Sequence, residues 1–148
     1  MPSLASSYLY TFFALTAVGA LLVSTFSSFT VYLKQLPEEK QLENLTKYVA
    51  SKCDELILAS KVGNASKAEF KLEMPLKIGT KHYWIRLMNG SSNAWVEGGF
   101  GTEPIRAKYK FYLVEKVAAS GIFVCVSDKL TITCEKNGTN ILLSLGAG

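Results

Sequence analysis

The first 33 residues contain no Lys, Arg, Asp or Glu; all 16 basic and 12 acidic residues lie at or beyond Lys34. Such a segment has no charged face with which to border the solvent of a soluble globule. Histidine occurs once, at His82, and none of the three cysteines stands in a Cys-X-X-Cys pair, so the ligand spacing of a structural or catalytic metal site is missing. Gly98-Gly99-Phe100-Gly101 has no following Lys-Ser/Thr and no helix start, which excludes a phosphate cradle and points to a bulge or tight turn. No nucleophile-elbow pattern occurs, and the adjacent carboxylates Asp54 and Glu55 belong to a helix surface. These absences argue against an enzyme and against any cofactor or bound metal. The net charge of +4 is interleaved rather than clustered. Arg106, Lys108 and Lys110 alternate along a strand as a solvated face does, so nucleic acid is not an expected partner.

What the N-terminus does contain is lipid-soluble. Tyr8 to Leu33 is an uncharged run of 26 residues, which as a helix rises about 39 Å, enough for a hydrocarbon core of about 30 Å. A signal-peptide apolar region is shorter and follows a basic stretch, so a retained span is the expected reading. Tyr8, Tyr10 and Tyr32 fall near its ends, where interfacial aromatics sit. Thr16, Ala20, Ser24 and Ser28 recur every four residues and lie on one ridge, where small side chains admit a second helix. Small residues are also common in membrane helices generally, so the ridge reads equally as an assembly face or as ordinary composition.

Two signals disagree about orientation. Lys34 and Lys40 follow the span, which by the positive-inside rule places the rest of the chain in the cytoplasm. Against this, four of the six asparagines stand in Asn-X-Ser/Thr sequons, at Asn44, Asn64, Asn89 and Asn137, and N-linked glycans mark surfaces outside the cell. The sequons decide the expectation: an extracytoplasmic, glycosylated domain. In that oxidising setting Cys53, Cys125 and Cys134 allow one bridge and one free thiol, either Cys53 to Cys134 or Cys125 to Cys134 across neighbouring strands, or no bridge, with all three acting as small core residues.

Beyond Pro37, which kinks the junction or starts a new helix, Leu42, Leu45, Val49, Cys53 and Leu56 form one stripe while Glu43, Lys47, Ser51 and Glu55 face away. Glu43 and Lys47 are spaced to pair, and Gly63-Asn64 supplies the stop. From Lys67 to Met74, Ala68, Phe70, Leu72 and Met74 alternate with Lys67, Glu69, Lys71 and Glu73: a half-buried antiparallel strand ended by Pro75. His82 to Met88 turns Tyr83, Ile85 and Leu87 to one side, and Asn89-Gly90 begins a turn toward Ala94-Trp95-Val96. A third strand sets Ala107, Tyr109, Phe111 and Leu113 opposite Lys108, Lys110 and Tyr112. Asn137-Gly138 is a strong two-residue hairpin signal. It predicts Lys136 opposite Thr139, then Cys134 with Ile141, Ile132 with Leu143 and Leu130 with Leu145, one apolar face with Leu142 excepted. Tyr83, Trp84, Trp95, Phe100, Tyr109, Phe111 and Tyr112 make either core or an exposed aromatic platform for carbohydrate or protein, with core favoured.

The expected fold is α+β. A long hydrophobic helix (1–36) continues into an amphipathic stalk helix (37–62), packed on an antiparallel sheet or β-sandwich head (63–148). On the charge-free run Tyr8 to Leu33 and the helix Leu42 to Leu58, this plan resembles the archaeal type IV pilin-related proteins. The resemblance implies a structural subunit of a surface filament. Its apolar helices bundle through Thr16, Ala20, Ser24 and Ser28 while glycosylated heads coat the outside, a homo-oligomer at the cell membrane and surface. The alternative is a single-pass accessory, adhesion or binding subunit of a pilus, motility or secretion system that stays in the membrane without polymerising. A viral envelope protein fits the same plan.

Overall fold

The computed structural model describes residues 2–63 and 65–148, without the side chains of residues 2–6, 31, 32, 34 and 35. Asn64, and the side chain of Tyr32 at the end of the span, therefore lie outside the described residues. The chain is α+β: one helical element, α1 (Pro2–Val62), precedes seven strands. It divides into two compact units, Met1–Pro37 and Glu38–Gly148. Pro37 neither starts a new helix nor ends one; it lies inside α1, where the missing N–H leaves the carbonyl of Leu33 without its intrahelical donor.

In the second unit α1 buries the predicted stripe except at Leu45, which is half-buried against the core. Leu42, Val49 and Cys53 are fully enclosed and Leu56 nearly so, joined by Thr46 and Ile57. Lys47, Ser51 and Glu55 face solvent. Glu43 pairs with Lys40 at 2.9 Å rather than with Lys47. The helix stops where glycine was expected to stop it, with the Gly63 amide donating to the Ala59 carbonyl at 2.9 Å.

The strands are β1 (Lys67–Glu73), β2 (Tyr83–Asn89), β3 (Ala94–Phe100), β4 (Tyr109–Tyr112), β5 (Ala118–Val124), β6 (Lys129–Asn137) and β7 (Asn140–Ala147). They form one sheet in the order β1-β6-β7-β5-β2-β3-β4. The head is thus neither a sandwich nor wholly antiparallel, because β5 and β7 run parallel. The cause is topological: the β6–β7 hairpin folds back so that β7, not β6, takes the place beside β5, and the helix covers the face a second sheet would otherwise cover. Strand β5 carries little apolar alternation, with Ala119 and Phe123 buried either side of Gly121, so its pattern was not legible as a strand.

Where alternation was clean, the face assignment holds. In β1 the residues Ala68, Phe70 and Leu72 are half-buried and the four charged residues exposed. Tyr83, Ile85 and Leu87 lie in the core. The terminal hairpin corrects its expected register by two residues. Asn137 pairs with Asn140, Lys136 with Ile141, Cys134 with Leu143, Ile132 with Leu145 and Leu130 with Ala147. The turn is Gly138-Thr139, with Gly138 at φ +64° and no non-glycine residue among the described residues at positive φ. A type II′ turn asks for positive φ only at its first central residue, whereas Asn137-Gly138 as a type I′ turn would have forced it on Asn137 as well. A shift of two keeps every side chain on its face, so Cys134 still points inward.

Gly98 and Gly99 correct another expectation, since they form neither bulge nor turn but lie in regular strand β3. A Cβ on Gly98 would meet Thr46 Oγ1 of the helix at 2.3 Å, and one on Gly99 would meet the Trp84 indole at 2.6 Å. These glycines mark close approach on both faces of the sheet.

Candidate functional site

The feature with the clearest consequence outside the fold is the N-terminal part of α1. Ser7–Thr30 is long and apolar enough to cross a membrane, and none of it is buried within the chain. Tyr8, Tyr10, Phe12, Phe13, Leu15, Leu21, Val23 and Phe26 are each more than 60% exposed. An apolar surface of this extent is stable against lipid, another protein or a translocation machinery, and the segment has the length and composition to anchor in a membrane or to serve as a signal sequence. Its polar atoms suit that setting, because the hydroxyls of Thr11, Thr16, Thr25, Ser28 and Thr30 each donate to the backbone carbonyl four residues earlier. A satisfied hydroxyl loses most of its cost of entering an apolar medium.

Thr16, Ala20, Ser24 and Ser28 all lie on the exposed surface. The Thr16 and Ser28 hydroxyls are turned into their own helix, donating to the Phe12 and Ser24 carbonyls.

The sequon residues separate into two environments. Asn89 ends β2 and Asn137 ends β6, both exposed. From the strand directions those two ends lie at one end of the sheet. A cavity of about 490 Å³ lies between their hairpins, lined by Asn89 and Gly90 on one side and Thr139 and Asn140 on the other. Asn44 is exposed but sits in the helix, and its sequon threonine, Thr46, is fully buried and donates to the Leu42 carbonyl at 2.8 Å.

All three cysteines are buried free thiols. The proposed Cys125–Cys134 bridge across neighbouring strands does not fit, because β7 separates β6 from β5. Two strand spacings are about 9.6 Å, beyond the reach of a disulfide. Cys53 and Cys134 face the same core from helix and sheet. Burial pushes the Cys53 thiol up to about 12, with Asp54 and Cys134 nearby adding to the rise.

Several polar contacts were not foreseen. His82 lies just before β2 rather than in it, and its Nδ1 is 3.2 Å from Cys125 Sγ, which also accepts the Tyr83 backbone amide at 3.2 Å. Cys125 is only 3% exposed, so the pair lacks the access a nucleophile needs. On the sheet face away from the helix, the nearly buried Glu97 accepts from Arg86, with Nε at 2.6 Å, and from Trp95 Nε1 at 3.1 Å. Lys110 stands 3.9 Å from the Trp95 ring, which packs edge-on against Tyr112. The pairing β2 to β3 to β4 brings these residues together, and only the register reveals it.

The seven aromatics accordingly do not form one platform. Tyr83 and Trp84 are buried on opposite sides of the sheet, Phe100, Tyr109 and Phe111 pack against the core, and Trp95 with Tyr112 remains outside. Trp84 Nε1 is buried with no acceptor among the described residues. No group of three or more His, Cys, Asp and Glu among the described residues is arranged to hold a metal. No protein-family model, no curated protein and no solved structure matches this chain.

Proposed function

We propose that this chain is a structural subunit of an archaeal type IV pilus-like surface filament, built through its apolar N-terminal helix, with a glycosylated head outside the cell. The observation that carries the reading is the division of labour along α1. Residues 7–30 expose only uncharged surface, while residues 42–60 of the same helical element bury their apolar stripe in the sheet. A subunit of this kind stores its helix in the bilayer and exchanges lipid contact for helix contact on assembly. Every buried apolar group then stays buried throughout. The small-residue ridge supplies the close approach.

Asn89 and Asn137, exposed on hairpins, suit glycan attachment; Asn44, whose Thr46 is locked in the core, does not once the head has folded. Replacing Ala20 and Ser24 together with leucine is expected to abolish filaments recovered by shearing while the chain remains in the membrane fraction. Undiminished filaments would refute the assembly face. A wild-type chain that is never sheared from the cell and stays in detergent-extracted membrane would favour a tethered accessory subunit.

A further inference from the structure

The outer edge of β1 carries a second inference that does not depend on the filament. β1 ends the sheet, and among the described residues no hydrogen bond reaches its outer side. Which backbone groups point outward follows from the two bonds that flank its pairing with β6: Lys136 N–H to the Ser66 carbonyl at 2.8 Å, and Met74 N–H to the Asp128 carbonyl at 2.7 Å. Ser66 and Met74 face β6, and in an antiparallel ladder the direction alternates. Ala68, Phe70 and Leu72 therefore bond to β6, while the amides and carbonyls of Lys67, Glu69, Lys71 and Glu73 point away from the sheet, unpaired.

We infer that this edge pairs with the same edge of a second copy of the chain, antiparallel, about a two-fold axis through Phe70. Backbone parity comes first. The outward-facing groups belong to the odd residues alone, so odd must meet odd, and every register displaced by one residue fails. Charge then selects among the rest. In the centred register Lys67 lies opposite Glu73 and Glu69 opposite Lys71, and the two-fold axis repeats both pairs, so each charge on the strand meets its opposite. A shift of two residues in one direction sets Lys71 against Lys71 and Glu69 against Glu73; in the other it sets Glu69 against Glu69 and Lys67 against Lys71. In-register parallel pairing opposes each residue to itself. Charged edge strands ordinarily repel pairing, but here alternating sign turns that repulsion into a filter: a shift of four residues again opposes Lys to Glu but leaves half of the strand's charges without a partner, so the centred register alone pairs all four.

The apolar face agrees, because the same register stacks Phe70 on Phe70 and Ala68 on Leu72, covering three side chains that are only half-buried in a single head. β1 is also the longer and more regular edge, with seven residues and no proline, where the opposite edge β4 has four. The contact is isologous and closes on itself, so it joins heads in pairs and leaves the apolar helix free for other contacts.

The test uses the full chain in mild detergent under oxidising conditions. Phe70→Cys places two thiols at the axis, where Cα atoms of a non-hydrogen-bonded pair are about 4.5 Å apart, within disulfide reach. Ala68→Cys leaves its own copies roughly 13 Å apart along the strand, beyond that reach. The expected result is a disulfide dimer for Phe70→Cys at roughly ten times the yield of Ala68→Cys. The wild-type chain, whose three cysteines are buried, sets the background. Adding Lys71→Glu opposes Glu69 to a new carboxylate twice and should cut the Phe70→Cys dimer roughly tenfold; adding Glu69→Lys as well exchanges the signs and should restore it. Equal crosslinking at positions 68 and 70, or failure of the charge exchange to restore the dimer, would overturn the pairing. Neither result bears on the Ala20 and Ser24 ridge.

Discussion

At the scale of single residues, burial sets the chemistry. The Cys53 thiol rises from an ordinary 9.0 to about 12 because its neighbours are apolar and its thiolate would lie beside Asp54 and Cys134. Since the folded value exceeds the unfolded one, the protonated thiol favours the folded state fully below pH 9, and that contribution is lost as pH rises from there toward 12. Burial shifts Tyr83 the same way. The denaturant midpoint of the head is therefore expected to fall between pH 9 and 11, and to fall less steeply in Cys53→Ala; identical slopes would show that Cys53 is not a source. Glu97 makes a second case. It holds Arg86 and Trp95 together while only 6% exposed, so Glu97→Ala leaves a cation and an indole N–H without an acceptor. Arg86 keeps partial contact with water, with 31% of its side chain exposed, which lowers the expected loss to about 2 kcal/mol, read from denaturant melts. The exposed pair Lys40–Glu43 should contribute almost nothing by the same measurement.

At the scale of elements, the sheet tolerates side chains only where neighbouring layers leave room. Gly99 in β3 lies against the Trp84 indole and the Arg106 carbonyl, which a Cβ would approach at 2.6 and 2.7 Å. Neither a buried indole nor a backbone carbonyl retreats cheaply, so Gly99→Ala should cost about 1–3 kcal/mol. Gly146→Ala, with nothing within 4 Å, should leave the melt unchanged. Equal effects would mean that strand conformation rather than packing requires glycine at position 99. The same layering explains which elements could be read in advance. β1 and the helix stripe alternate at their own periods because each has one wet face. β5 lies inside the sheet between β7 and β2 and needs no alternation strong enough to notice. The glycine pair in β3 looked like a turn because composition alone does not distinguish a bend from a close contact.

At the scale of the whole molecule, the chain divides into two compact units. The leucine substitutions at Ala20 and Ser24 fall in Met1–Pro37, and the head is Glu38–Gly148. The pair should block assembly without moving the head's denaturant midpoint, as expected for sites sharing no partners. The uncharged run, the helix stripe, the face of each alternating strand, the open hairpin positions of Asn89 and Asn137 and the want of metal-ligand spacing were determined by sequence alone, since each follows from local period or from composition. The strand order, the parallel β5–β7 pair, the two-residue register of the last hairpin, the distance that keeps Cys125 from Cys134, the Arg86–Glu97–Trp95 cluster and the outward direction of the β1 edge were decided only by tertiary structure. Each depends on which distant strand comes to lie alongside, and that choice rests on packing against the helix and on backbone hydrogen bonds, neither of which leaves a periodic mark in the chain.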